Sequence, residues 1–91
     1  MMSESTIFIV EDEVIVARDI QSRLQKMGYE VTGTAARGED AVERVLDQRP
    51  DLVLMDINLR GEMDGIDAAA NIRAEYDVPI IFCSAYLNKE T

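Results

Sequence analysis

Short apolar runs alternate along this chain with stretches in which apolar residues recur every three or four positions. Thr6-Ile7-Phe8-Ile9-Val10 is continuous and β-branched, which predicts a strand buried on both faces, and it stops abruptly at Glu11-Asp12-Glu13. From Val14 the spacing changes: Val16, Ile20 and Leu24, with Ala17 and Met27 alongside, fall on one face of an amphipathic helix that Gly28 would cap. Residues 29–35 alternate weakly, as an edge strand does. Gly38-Glu39-Asp40 then opens a second helix with Ala41, Val42, Val45 and Leu46 inward, closed by Arg49-Pro50. Leu52-Val53-Leu54-Met55 is another continuous apolar strand, and it too ends on an acid, Asp56. A loop holding Arg60, Gly61 and Glu62 leads to Asp64-Gly65, a helix cap and a turn glycine, after which Ile66, Ala69, Ala70 and Arg73 mark a face of a third helix. Pro79-Ile80-Ile81-Phe82-Cys83 reads as a fourth buried strand, and residues 84–91 begin a further turn or helix.

Strands alternating with helices at this spacing predict βαβ crossovers and a parallel, doubly wound α/β sheet. Ligands gather at the C-terminal ends of the strands in such sheets, and the sequence places Glu11, Asp12, Asp56 and Ser84 at those ends, on one edge. With no repeat, low-complexity tract or linker, the reading is one domain over residues 1–91.

Composition narrows the chemistry. The 91 residues are 47% apolar, enough for one small core, and the formal net charge of -9 argues against contact with nucleic acid or anionic lipid. No apolar run approaches the ~20 residues of a membrane span, and the first residues lack the basic flank and apolar stretch of a secretory signal, so a cytoplasmic location is expected. Cys83 is the only cysteine and there is no histidine, which excludes an internal disulfide, a Cys/His zinc site and a serine-histidine-aspartate triad. Cys83 and Met55 read as core residues and Arg60 as a solvated loop charge.

Carboxylates remain. Three of them converging in a crevice would repel one another and raise each other's pKa, and their joint ionisation calls for a cation. All-oxygen ligands favour a hard ion, with Mg2+ the natural candidate because it keeps positions open for water and phosphate oxygens. Beside such an ion Asp56 becomes a plausible phosphoryl acceptor, with Ser84 placed to hydrogen-bond a phosphoryl oxygen. Taken singly, the acids at 11–13 would be a solvated capping turn, Asp56 a turn residue and Ser84 a cap. Their coincidence on one sheet edge favours the chemical reading.

In their order along the chain these segments resemble a known family. Val10-Glu11-Asp12-Glu13 is similar to the acidic turn of response-regulator receiver domains, Leu54-Met55-Asp56-Ile57-Asn58-Leu59 to their phosphoacceptor segment and Asp64-Gly65-Ile66 to the start of their third helix. Val78-Pro79-Ile80-Ile81-Phe82-Cys83-Ser84-Ala85 resembles their fourth strand with its hydroxyl residue. The resemblance implies a flavodoxin-like sheet in which Asp56 accepts phosphoryl from a sensor histidine kinase or phosphotransfer protein. By the same resemblance Asp12, Asp56 and the backbone carbonyl of Asn58 bind Mg2+, Glu11 acts through bound water, and Ser84 is the switch residue beside a small Ala85. The module catalyses at most its own phosphorylation and dephosphorylation.

The sequence also departs from that pattern. Receiver domains usually have five strands and five helices, with a lysine closing the fifth strand; this sequence reaches Thr91 before such a strand, and Lys89 stands too near Ser84 for that role. The expectation is therefore a C-terminally incomplete receiver of strand order 2-1-3-4-(5), with the fifth strand and last helix missing. Residues 80–83 would then be an exposed edge inviting a homodimer or strand-swapped assembly. Leu59-Arg60-Gly61 lengthens the loop after Asp56 without altering the spacing to Asn58. Competing readings are a degenerate receiver working by protein contact without phosphorylation and a Mg2+-dependent phosphatase. The latter is disfavoured because Asn58 stands where haloacid-dehalogenase-like enzymes place a second aspartate. A flavodoxin-like nucleotide binder is disfavoured by acids where a phosphate loop should lie.

Overall fold

The computed structural model describes residues 5–83; the expectations for Ser84, Ala85 and Lys89 fall outside the described residues. The first strand, β1 (Thr6–Val10), lies between β2 (Glu30–Ala35) and β3 (Leu52–Asp56), and β4 (Ile80–Cys83) flanks β3. All pairs are parallel, giving the order β2-β1-β3-β4. The connecting helices are α1 (Val14–Lys26), α2 (Gly38–Gln48) and α3 (Gly65–Arg73). The doubly wound parallel sheet expected from the apolar runs is the one observed, and its order is the flavodoxin-like one that the family resemblance implies.

Alternation along the central strands divides the core into two layers. Phe8 and Val10 of β1, with Val53 and Met55 of β3, pack on Ala41 and Val45 of α2 and on Ala68, Ala69 and Ile72 of α3. Each of the large side chains buried there contributes on the order of 1.5–3 kcal/mol over the exposed state. Ile7 and Ile9 point the other way, and on that face α1 packs over β1 and β2 with Ala17 buried. The rest of the apolar stripe of α1, Val16, Ile20 and Leu24, is only half-buried. Leu54 on the same face is half-buried too, and its register partner Ile81 is 51% exposed.

Two expectations do not hold. Residues 80–83 are not a buried strand: Ile80 is buried, but Ile81, Phe82 and Cys83 are exposed, because β4 is the outer strand of the described sheet. Cys83 is therefore not a core residue, whereas the exposed outer edge is the one expected. The face of α3 is also rotated by about one residue from the expected one. Gly65, Ala68, Ala69 and Ile72 are buried while Ile66 is 51% exposed, since the helix phase is set by how Gly65 meets the end of β3.

Local chemistry terminates the helices as their sequences suggest. Asp64 caps α3, its Oδ1 accepting from the Asp67 N–H at 2.9 Å. Met27 ends α1, and Gly28 turns the chain with φ +99°. Arg49 ends α2 in the left-handed region at φ 52°, where its guanidinium lies over the Tyr76 ring at 4.9 Å and the Tyr76 hydroxyl donates to the Pro50 carbonyl. Arg44 of α2 stacks over Phe8 of β1 at 5.2 Å and donates to the Thr34 carbonyl of β2 at 2.6 Å, using the space left by Gly33.

Candidate functional site at the C-terminal sheet edge

Parallel register delivers the acids to one place. Glu11 continues β1 by one residue, its N–H donating to the Ala35 carbonyl at 2.9 Å, and Asp56 closes β3 opposite Cys83. Both side chains are buried, Glu11 at 6% and Asp56 at 2% exposure. Asp12 follows on the turn into α1, its side chain 4% exposed. One carboxylate oxygen from each of Glu11, Asp12 and Asp56 lies within 4.8 Å of the others. The convergence predicted from the strand ends is thus present for these three, while Ser84 lies outside the described residues.

Backbone donors aim the acids. Asn58 N–H donates to Asp56 Oδ1 at 3.0 Å, a tight turn that fixes the carboxylate, and Glu13 N–H donates to Glu11 Oε2 at 3.1 Å. Glu13 is the N-cap of α1 and makes no side-chain cap bond.

Like charges this close are costly. At an effective dielectric of about 20, two ionised carboxylates about 4.8 Å apart repel by ~3.5 kcal/mol. Burial accordingly pushes the Glu11 carboxyl from its ordinary 4.5 up to about 7; the Glu13 N–H opposes that rise, and the charges of Asp56 and Asp12 add to it. Asp56 is also raised, first by burial and then by the Asp12 charge, against the Asn58 N–H.

These residues suit a divalent cation. The donors are all oxygens, they converge, and Asp12 Oδ1 is buried with no hydrogen-bond partner among the described residues. An orphaned oxygen on a carboxylate clustered with two further acids is the arrangement that a hard ion relieves.

Two residues matter here in ways the sequence pattern does not reveal. Gly65 is expected as a turn glycine, but its role is close approach: a Cβ there would lie 2.2 Å from the Asp56 carbonyl oxygen and 2.9 Å from Ile57 Cα. Its N–H donates to the Ile57 carbonyl at 3.0 Å, so the start of α3 is seated against the backbone that follows Asp56. Arg60 is expected as a solvated charge, yet its Nε lies 3.2 Å from Asp12 Oδ2. Charge balance is the available signal, since three clustered acids ask for a base nearby and Arg60 follows Asp56 by four positions.

Comparison with known proteins agrees with this fold. The model of the response regulator receiver domain matches residues 7–91. The chain is similar to the transcriptional regulatory protein PdtaR of Mycobacterium tuberculosis, with 37% identity over 84 residues that cover 92% of this chain and 40% of that protein. It is also similar to the phyllosphere-induced regulator PhyR of Methylorubrum extorquens, 36% identical over 81 residues, covering 88% of this chain and 30% of that one. Among solved structures, the signal receiver domain of a modulated diguanylate cyclase from Desulfovibrio desulfuricans G20 superposes with a TM-score of 0.86 at 38% identity, covering 94% of this chain and 69% of that chain. The chain thus spans well under half the length of these two regulators.

Proposed function

We propose, from the premise that this chain belongs to the response regulator receiver domain family, that Asp56 accepts a phosphoryl group from a phosphohistidine on a partner kinase or phosphotransfer protein. The observation that carries this reading is the buried convergence of Glu11, Asp12 and Asp56 with an unpaired Asp12 oxygen. Asp12, Asp56 and the Asn58 carbonyl would hold Mg2+, with Glu11 acting through water. When bound, the ion supplies positive charge for the acids and open coordination positions for phosphoryl oxygens.

The chain's own residues do the rest. The Asn58 N–H holds Asp56 Oδ1, which leaves the other oxygen as the nucleophile. That oxygen forms the new bond to phosphorus as the P–N bond to the donor imidazole breaks, and the electron pair and then a proton pass to the leaving ring. Positioning and charge neutralisation suffice for such a transfer, so no general base is required. Burial of Asp56 keeps bulk water from the acyl phosphate. With Asn58 where a phosphatase of the dehalogenase type has its acid/base, the chain acts at most on its own phosphorylation state and turns over no separate substrate.

Incubation of the chain with acetyl phosphate and Mg2+, read by intact mass, tests this. One phosphoryl group should be gained, only with the divalent ion, and Asp56→Asn should gain none; an unmodified wild-type chain under saturating donor refutes it. A second reading, contact with a protein partner independent of phosphorylation, is favoured by the outer position of β4 and the exposure of Ile81 and Phe82. It predicts partner or self-association that Asp56→Asn leaves intact. No helix among the described residues is long and apolar enough to cross a membrane, which fits either reading.

A further inference from the structure

We infer that Arg60 is the resident counter-cation of the acidic pocket, holding Asp12 when no divalent ion is bound and competing with that ion, so that this loop position sets the metal affinity of the site. The inference rests on the metal-binding reading above. Its starting point is an asymmetric ion pair: Nε of Arg60 lies 3.2 Å from Asp12 Oδ2, with the arginine side chain 75% exposed and the aspartate side chain 4% exposed. A guanidinium that stays mostly in water gives up little hydration, while a buried carboxylate crowded by two others gains a partner. Among the described residues, Arg60 is the one basic side chain within ion-pair distance of the trio.

The loop that carries Arg60 is braced in this position. The backbones of Arg37 and Arg60 form an isolated parallel bridge across the β2–α2 and β3–α3 loops. Next to it, Gly61 turns with φ +97° and leaves room for the Arg37 guanidinium, which a Cβ would approach to 2.9 Å. The bridge and the turn hold the backbone of residue 60 in place, and from there its side chain reaches Asp12.

One arginine does not complete the pocket. Asp12 Oδ1 stays buried without a partner among the described residues, and a single positive charge facing three acids leaves them short of neutral. A divalent ion carries twice the charge and suits the whole trio, but its approach to Asp12 must weaken or displace the arginine. Arg60 would therefore stabilise the metal-free chain and lower its affinity for the ion.

Calorimetric titration of Mg2+ into the full chain at low ionic strength tests this, with thermal melts of the same samples. Arg60→Gln should bind Mg2+ about three- to tenfold more tightly than wild type, since the pair joins an exposed and a buried partner. The gap should narrow in high salt, where the exposed guanidinium is screened. Without the ion the same variant should melt lower, and its rise in Tm on adding Mg2+ should be larger. Arg60→Lys, which keeps the charge, should fall between the two. Arg23→Gln removes the same charge from the last turn of α1, where Arg23 pairs with Asp19, and should match wild type. Equal Mg2+ affinity in Arg60→Gln and wild type, or an equal gain in Arg23→Gln, overturns the inference while leaving the metal site standing. If neither wild type nor Arg60→Gln binds Mg2+, the metal-binding reading itself falls and the role of Arg60 with it.

Discussion

Replacing Gly65 with alanine puts a methyl group where the end of β3 already sits. The added Cβ would lie 2.2 Å from the Asp56 carbonyl oxygen, 2.9 Å from Ile57 Cα and 3.0 Å from the Asp56 carbonyl carbon. All of these are backbone atoms, so no side chain can swing aside, and reaching an ordinary contact of 3.4 Å needs a displacement of about 1.2 Å. Overpacking of this kind costs about 1–3 kcal/mol, and the contact belongs at the upper end of that range. Alanine's helix preference over glycine returns up to about 1 kcal/mol. The net loss is then about 2 kcal/mol, a fall in Tm of roughly 8–16 °C for a domain of this size. The same displacement shifts the peptide that carries Asp56, so phosphoryl uptake should fall as well. Thermal melts and intact-mass phosphorylation of Gly65→Ala measure both effects, with Gly28→Ala beside it. Gly28 has φ +99° and nothing within 4 Å of its notional Cβ, so that variant should lose about 1 kcal/mol through backbone strain alone. It should leave uptake unchanged. An unaltered or raised Tm in Gly65→Ala, with normal uptake, would refute the close-approach argument.

The other predictions concern charge and the far end of α2. Because the Glu11 carboxyl is raised to about 7 from 4.5, the folded chain binds its proton more tightly than the unfolded chain does. Without Mg2+, stability should therefore be highest below about pH 4.5 as far as this group is concerned, and be lost as the pH rises to about 7; urea titrations across that range should show it, and Mg2+ should flatten the slope. A metal-free stability that rises steadily over the same interval would contradict the assignment. Asp56→Asn removes one charge from the trio while an amide oxygen can still accept from Asn58 N–H, so the metal-free variant should be more stable by about 1–2 kcal/mol in a chemical melt. Tyr76→Phe loses the bond to the Pro50 carbonyl and should cost about 1 kcal/mol in the same assay without changing phosphoryl uptake.

Much of the fold and the site is legible in the order of residues alone, because the controlling signals are local. The continuous apolar runs at 6–10 and 52–55 have the pattern of interior parallel strands, and each carries an acid just past its end, so chain direction alone places Glu11, Asp12 and Asp56 together. What is not legible depends on neighbours distant in sequence. The run at 80–83 is as apolar as β1, yet it is half-exposed because burial is set by whether another strand and helix lie beside it. In α3, alanine and glycine contribute so little to an apolar stripe that Ile66 draws the expected face toward itself, whereas contact with Asp56 fixes the true one. Arg60 looks like an ordinary loop charge, since its ion pair with Asp12 joins residues far apart in the sequence.

Localising a divalent ion directly is the sharpest trial of the account. Substoichiometric Mn2+ broadens the amide resonances of residues near it in a nuclear magnetic resonance spectrum. The account predicts selective loss of signals from residues 10–13 and 56–58, reversed by excess Mg2+ and abolished in Asp12→Asn paired with Asp56→Asn. Broadening centred on another part of the chain, or none at Mn2+ levels that saturate ordinary receiver domains, would contradict it.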